Sequence, residues 1–200
     1  MKHFWDERYR LPEYAYGTEP NVFFKEKLAT LSPGRILLPG EGEGRNAVWA
    51  AQQGWQVTAI DFSTTGRRKA MQLARKQGVQ IAYQVESFHK VTPEPESFDA
   101  AAVIFFHVPA LFMERAFAKI TQSLKPGGTL IAELYAAAQL GRNSGGPQSP
   151  ELLYTPEQIA QWTEGLHHHE LVQTETVLNE GRFHQGEAVV IRIVAQKPTP

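Results

Sequence analysis

Two hundred residues, 42% hydrophobic and 20% charged, suit one globular domain with an ordinary core. A formal net charge of -1 gives no field that would draw nucleic acid or an anionic membrane, and the absence of cysteine excludes disulfides, thiolate metal sites and a cysteine nucleophile. No apolar stretch reaches membrane-spanning length, and residues 1–9 are aromatic and charged without an apolar signal segment, so a cytoplasmic protein is expected.

Residues 1–20 carry Phe4, Trp5, Tyr9, Tyr14 and Tyr16 between Pro12, Gly17 and Pro20. Aromatics this dense need burial, so the segment reads as an ordered arm or lid rather than a linker. Residues 21–200 read as one domain. Asn21 can cap a helix to about residue 31, which Ser32-Pro-Gly34 ends. Strands follow at 35–39 and 56–60, separated by a glycine-rich turn and a helix over 44–53. Ser63 can cap a helix to Lys76, stopped by Gly78, before a third strand at 80–85. Residues 98–106 are nearly all apolar, as a central strand buried on both faces should be. A helix over 110–124, a tight turn at Lys125-Pro-Gly-Gly128 and a fifth strand over 129–134 come next. Residues 141–150 form a polar, glycine-rich loop expected to be mobile. Thr155-Pro-Glu-Gln158 has the form of a capping box and opens a helix to about residue 164. Strands near 170–178 and 187–196, joined through Gly181, close the chain. The alternation predicts an α/β fold with a doubly wound, mostly parallel seven-stranded sheet and an antiparallel hairpin at its C-terminal edge.

In such a sheet ligands bind beyond the carboxyl ends of the strands. Asp61, at the tip of the second strand, can accept both hydroxyls of a ribose, which points to a nucleoside-containing cofactor. Gly40-Glu-Gly-Glu-Gly44 lacks the Gly-Lys-Ser/Thr of a phosphate loop, and Arg45 stands where a dinucleotide fingerprint needs its third glycine. Glu41 and Glu43 would also repel a pyrophosphate seated in this turn. S-adenosylmethionine has no phosphate and a positive sulfonium, so it suits an acidic glycine-rich turn better than NAD does.

Four segments in order resemble the class I S-adenosylmethionine-dependent methyltransferases. They are Ile36-Leu-Leu-Pro-Gly-Glu-Gly-Glu-Gly-Arg-Asn46, Val57-Thr-Ala-Ile-Asp-Phe-Ser63, Ser97-Phe-Asp-Ala-Ala-Ala-Val-Ile-Phe-Phe-His107 and Leu124-Lys-Pro-Gly-Gly-Thr-Leu130. Trp5-Asp-Glu-Arg-Tyr9 and Gly44-Arg-Asn-Ala47 look closest to the tellurite-resistance and thiopurine-type branch, which methylates small molecules. The resemblance implies a cofactor site with Gly40, Gly42, Gly44 and Asn46 against the methionine part, Asp61 on the ribose and Phe62 on the adenine. It implies Glu86 and Ser87 near the adenine amino group, with Phe105 and Phe106 as pocket wall. The family's acid two positions before the first loop glycine is Leu38 here, and Glu41 or Glu43 is the candidate substitute.

Methyl transfer is an in-line displacement helped mainly by alignment, so it requires neither a metal nor a hydrolase-type triad. His107 reads either as a base or as a hydrogen-bonded strand-end histidine. Arg8, Arg45 and Arg142 are candidates for holding an anionic acceptor. His167-His-His169 can offer at most two ligands on one face, and no metal site is expected. The reading is a methyltransferase with S-adenosylmethionine and a small-molecule acceptor, with no nucleic-acid or membrane partner. Its rivals are a non-catalytic S-adenosylmethionine-binding sensor or interaction protein and an NAD-dependent oxidoreductase.

Overall fold

The computed structural model describes residues 2–199; Met1, the first residue of the expected arm, and Pro200 lie outside them. Seven strands form one sheet: β1 (Arg35–Pro39), β2 (Gln56–Asp61), β3 (Ala82–Val85), β4 (Phe98–Ile104), β5 (Leu124–Tyr135), β6 (His167–Glu180) and β7 (His184–Gln196). Their order is β3-β2-β1-β4-β5-β7-β6. The first five strands run parallel, and β7 is antiparallel to both β5 and β6. The order reverses at β1, which pairs with β2 on one side and β4 on the other. A crevice opens there at the strands' carboxyl ends.

Alternation along β1 shows how the layers arise. Ile36 and Leu38 face Val48 of α3 (Arg45–Gln52) and Leu73 of α4 (Thr64–Lys76), whereas Leu37 faces Met113 and Phe117 of α5 (Ala110–Ser123). Successive strand residues point to opposite faces, and helices cover both. The helix starts follow their caps. Asn21 accepts from the Phe24 N–H at 2.8 Å to open α2 (Val22–Leu28), and Ser63 accepts from the Gly66 N–H at 2.9 Å to open α4. Thr155 and Gln158 form a reciprocal capping box at α6 (Pro156–Trp162).

Several expectations need correction. The arm contains a short helix, α1 (Lys2–Arg8). Lys125–Gly128 is not a separate turn: β5 already pairs at Leu124, and the extra residues bulge out between Leu124 and Thr129. β6 runs beyond its expected limits at both ends and β7 begins earlier than expected while ending at Gln196 as expected, so the three histidines at 167–169 lie on β6. Alternating polar residues on an edge strand gave too weak an apolar signal there. The 141–150 loop is pinned. Buried Gln139 donates to Ser144 Oγ and the Gly145 carbonyl, both at 2.9 Å, and accepts from the Val189 N–H. Among the described residues no helix is long and apolar enough to cross a membrane.

Candidate functional site

A cavity of about 1030 Å³ lies over the carboxyl ends of β1, β2 and β4, roofed by the arm. Gly40, Glu41, Asn46, Asp61, Phe62, Glu86, Ser87 and Phe105 all line it. Gly42 and Gly44 do not; they shape the turn from behind. The Gly42 N–H donates to Asp61 Oδ2 at 3.0 Å, and its carbonyl accepts from the Tyr83 hydroxyl at 2.6 Å. Gly44 has φ +86°, and a Cβ there would lie 2.5 Å from Ala70 Cβ, so glycine lets the start of α3 pack against the middle of α4.

Asp61 Oδ1 accepts from the Ser63 N–H at 2.8 Å, so two backbone donors fix the carboxylate at the tip of β2. Burial pushes its pKa up to about 6 against those bonds. Each oxygen keeps a lone pair for a hydroxyl of a bound ligand. Farther along the rim, Glu86 accepts from the Ser87 N–H at 2.8 Å, and that bond holds its pKa below the usual carboxylate value. Phe105 sits at φ +49°, a backbone conformation unusual outside glycine. Its ring stacks on Tyr135 at 4.5 Å.

The two turn acids behave differently from the expectation of paired negative charges. Glu43 forms a buried ion pair with Lys69 and accepts from the Ala15 N–H at 2.7 Å, so its charge is matched and it anchors the arm. Glu41 accepts from the Ala47 N–H at 2.7 Å, and burial pushes its pKa up to about 7. Glu41 is therefore the turn acid left for a ligand. Leu38 is buried in the core and offers nothing to the cavity. The turn is still unsuited to a diphosphate, because its nearby cations are engaged. Arg45 pairs with Glu180 at 2.8 Å, and Lys69 is held by Glu43. A cationic nucleoside with free ribose hydroxyls fits this donor set.

His107 lines the cavity, but its two nitrogens are occupied. Nδ1 donates to the Leu152 carbonyl at 2.7 Å, and Nε2 accepts from the Tyr135 N–H at 3.2 Å. Burial lowers its pKa to about 4. As a candidate base it is corrected to the strand-end alternative, a neutral ring joining β4 to its neighbours. Of the three candidate arginines, Arg142 pairs with Glu175 away from the cavity, Arg45 is committed to Glu180, and Arg8 lines the cavity while donating to the Tyr16 hydroxyl at 2.8 Å. Among the described residues no group of three or more His, Cys, Asp or Glu is placed to hold a metal ion.

The arm was half legible. Trp5, Arg8, Tyr9 and Tyr16 line the cavity. Lys69 holds the arm from below by donating to the Leu11 and Glu13 carbonyls at 2.9 and 2.6 Å. The turn after β6 holds its other side, where the Arg182 N–H donates to the Ala15 carbonyl at 3.0 Å. Sequence reasoning missed the far wall entirely: Tyr135 and His184 line it from separate strands, Glu180 stands behind His184, and no local spacing joins them.

Comparison with known proteins bears on the family and the fold. Residues 36–128 match a family described as a methyltransferase domain. A curated relative, a ubiquinone biosynthesis O-methyltransferase of Xylella fastidiosa, is 33% identical over 110 residues, 52% of this chain and 43% of that protein. The match therefore spans less than half the length of that relative. Among solved structures, a methyltransferase of Methanosarcina mazei described as S-adenosylmethionine-dependent aligns with a TM-score of 0.71 and 19% identity, covering 91% of this chain and 100% of the other. TehB of Haemophilus influenzae aligns with a TM-score of 0.74 and 12% identity, covering 98% and 66%. At such identities the structural likeness concerns the fold.

Proposed function

We propose that this chain, whose residues 36–128 match a methyltransferase-domain family, is a class I S-adenosylmethionine-dependent methyltransferase that transfers the cofactor's methyl group to a small-molecule acceptor enclosed beneath the arm. One observation carries the reading: a single cavity runs from Asp61 and Glu86 to Phe105 and Tyr16. At about 1030 Å³ it stands at the upper end of the roughly 300–1,000 Å³ usual for small-molecule sites, which leaves space beside a nucleoside cofactor for a small acceptor.

When bound, S-adenosylmethionine supplies an electrophilic methyl group on a sulfonium. The chain's residues supply position. Asp61 would receive the ribose hydroxyls, Glu86 and Ser87 would face the adenine edge, Phe62 would lie along the ring, and Gly40, Glu41 and Asn46 would border the methionine end. Arm and loop exclude water, which favours alignment and suppresses hydrolysis. The aromatic arm, and the likeness of Trp5-Asp-Glu-Arg-Tyr9 and Gly44-Arg-Asn-Ala47 to the tellurite-resistance and thiopurine-type branch, favour a small acceptor. A cytoplasmic setting is consistent with such an acceptor.

Titration calorimetry with S-adenosylmethionine and S-adenosylhomocysteine tests the reading. Both should bind, and Asp61→Asn should weaken binding about 10–100-fold through lost charge-assisted bonds. No heat up to millimolar ligand would end it. Product detection on thiols, selenite, tellurite and thiopurines then separates turnover from cofactor sensing.

A further inference from the structure

We propose that His184 is the base that takes the proton from the methyl acceptor, and that the acceptor is a flat aromatic compound bearing an ionisable hydroxyl or thiol. The proposal rests on the methyl-transfer reading above.

His184 is the first residue of β7. Its ring is buried from bulk solvent yet lines the cavity. Nδ1 faces Glu180 Oε2 at 3.5 Å. Glu180 is itself held from three sides: Arg45 Nη2 at 2.8 Å on Oε2, Asn21 Nδ2 at 3.0 Å and the Val22 N–H at 3.4 Å on Oε1. A carboxylate so fixed orients the imidazole with its N–H on Nδ1, leaving the Nε2 lone pair as acceptor. Nε2 has no hydrogen-bond partner among the described residues. The contrast with His107, both of whose nitrogens are occupied, singles out His184.

The surroundings define what reaches that lone pair. The Tyr16 ring lies 4.3 Å from the imidazole, the Phe105 ring 4.6 Å and the Tyr135 ring 5.6 Å. Trp5 lies beyond Tyr16 at 6.3 Å. The Tyr135 hydroxyl is buried with no hydrogen-bond partner, so one donor at this end of the cavity awaits a ligand atom. Aromatic faces with one lone pair and one hydroxyl suit a flat ring with a single polar substituent. An ammonium acceptor would find no free carboxylate here, because Glu180 is already paired. The charged or titratable groups facing His184 are Glu180, Arg45, Arg8, Tyr16, Tyr135 and, more distantly, His107. Burial, with Arg45 and Arg8, lowers the His184 pKa and keeps the ring neutral near neutral pH.

The step balances. The acceptor's O–H or S–H bond breaks as its bond to the methyl carbon forms. The proton passes to Nε2, and the electron pair of the broken S–CH₃ bond stays on sulfur, leaving a neutral thioether. His184 would be a catalytic residue and Glu180 a positioning residue.

The experiment uses the full chain, radiolabelled S-adenosylmethionine at saturation, and two probes: p-cresol, neutral near neutral pH, and p-nitrophenol, far more acidic and ionised in substantial part there. Cofactor binding by calorimetry is read first; a wild-type chain that binds none overturns the methyl-transfer reading and this one with it. His184→Ala and the more isosteric His184→Gln should bind cofactor within about twofold of wild type. They should slow p-cresol methylation about 10²–10⁴-fold and p-nitrophenol methylation less than about tenfold. Wild-type kcat on p-cresol should fall as acid protonates Nε2, with its limb below about pH 6.5. Glu180→Gln should move that limb to lower pH, because the carboxylate raises the histidine's affinity for a proton. Equal losses on both probes, no loss, an unmoved limb, or a cofactor-binding wild type that methylates neither probe would each overturn the proposal.

Discussion

The two ends of the cavity are built by different means. The Asp61 end is local: the Gly42 N–H reaches a carboxylate only 19 positions along the chain, through one strand-helix-strand unit. The His184 end is assembled across the whole chain. Asn21 reaches Glu180 over 159 positions, and Arg45 reaches it over 135. Backbone geometry holds the first end, and buried charge holds the second. The first should tolerate loss of distant contacts and resist change at its glycines. The second should lose stability when a single charge is removed.

The largest expected effect falls on the second end. Glu180→Ala strands the Arg45 guanidinium in a buried place, and breaking such a pair costs about 3–5 kcal/mol. Thermal or urea unfolding should register the loss. A cost below about 1 kcal/mol would show that buried charge does not hold this end. Acid should reproduce the effect. Burial alone would raise the Glu180 pKa, but His184 and Arg45 outweigh it and bring it down to about 2. A carboxyl depressed in the folded state stabilises above its ordinary pKa, and that share is lost as pH falls from about 4.5 toward 2.

A smaller effect is expected at the first end. Gly44→Ala forces a side-chain-bearing residue into φ +86° and drives its Cβ to 2.5 Å from Ala70 Cβ. The sum should be about 1–3 kcal/mol, part strain and part overpacking. Ala70→Gly in the same chain should recover the overpacking share only. Full recovery would mean that the left-handed conformation costs nothing here.

The same contrast explains what the sequence revealed. Strand order, the caps at Asn21, Ser63 and Thr155, and the Asp61 rim follow from short-range pattern, because each rests on residues within one or two elements. Gly42 and Gly44, expected at the cofactor, lie outside the cavity lining and shape the turn that presents Glu41 and Asn46. The charge of the turn was misjudged because Lys69, the partner that matches Glu43, lies on another helix at an apparently solvated position. His184 gave no signal at all. A lone histidine near the start of an expected strand is unremarkable until the fold brings Glu180 and Tyr135 beside it.

The gentlest way to sharpen the comparison is to vary pH and watch the Asp61 end alone. Burial raises Glu41 to about 7 and Asp61 to about 6, from ordinary values of 4.5 and 3.8. With raised pKa values the native state holds protons that the unfolded chain has released. Stability of the unliganded protein should therefore decline as pH rises through that window. Binding of a cation has the opposite preference, since a sulfonium and a ribose both favour carboxylates over carboxylic acids. Affinity for S-adenosylmethionine should accordingly increase about tenfold between about pH 6 and about pH 8, with protons released on binding. Calorimetry in buffers of different ionisation heat counts those protons directly. Glu41→Gln should flatten the upper part of the curve and leave the lower part, governed by Asp61, in place. The residues around His184 contribute little to this curve, because Arg45 and Glu180 stay paired throughout the range. A pH dependence that survives Glu41→Gln but vanishes in Glu180→Gln would invert the division, making the distant charge network the true electrostatic partner of the cofactor.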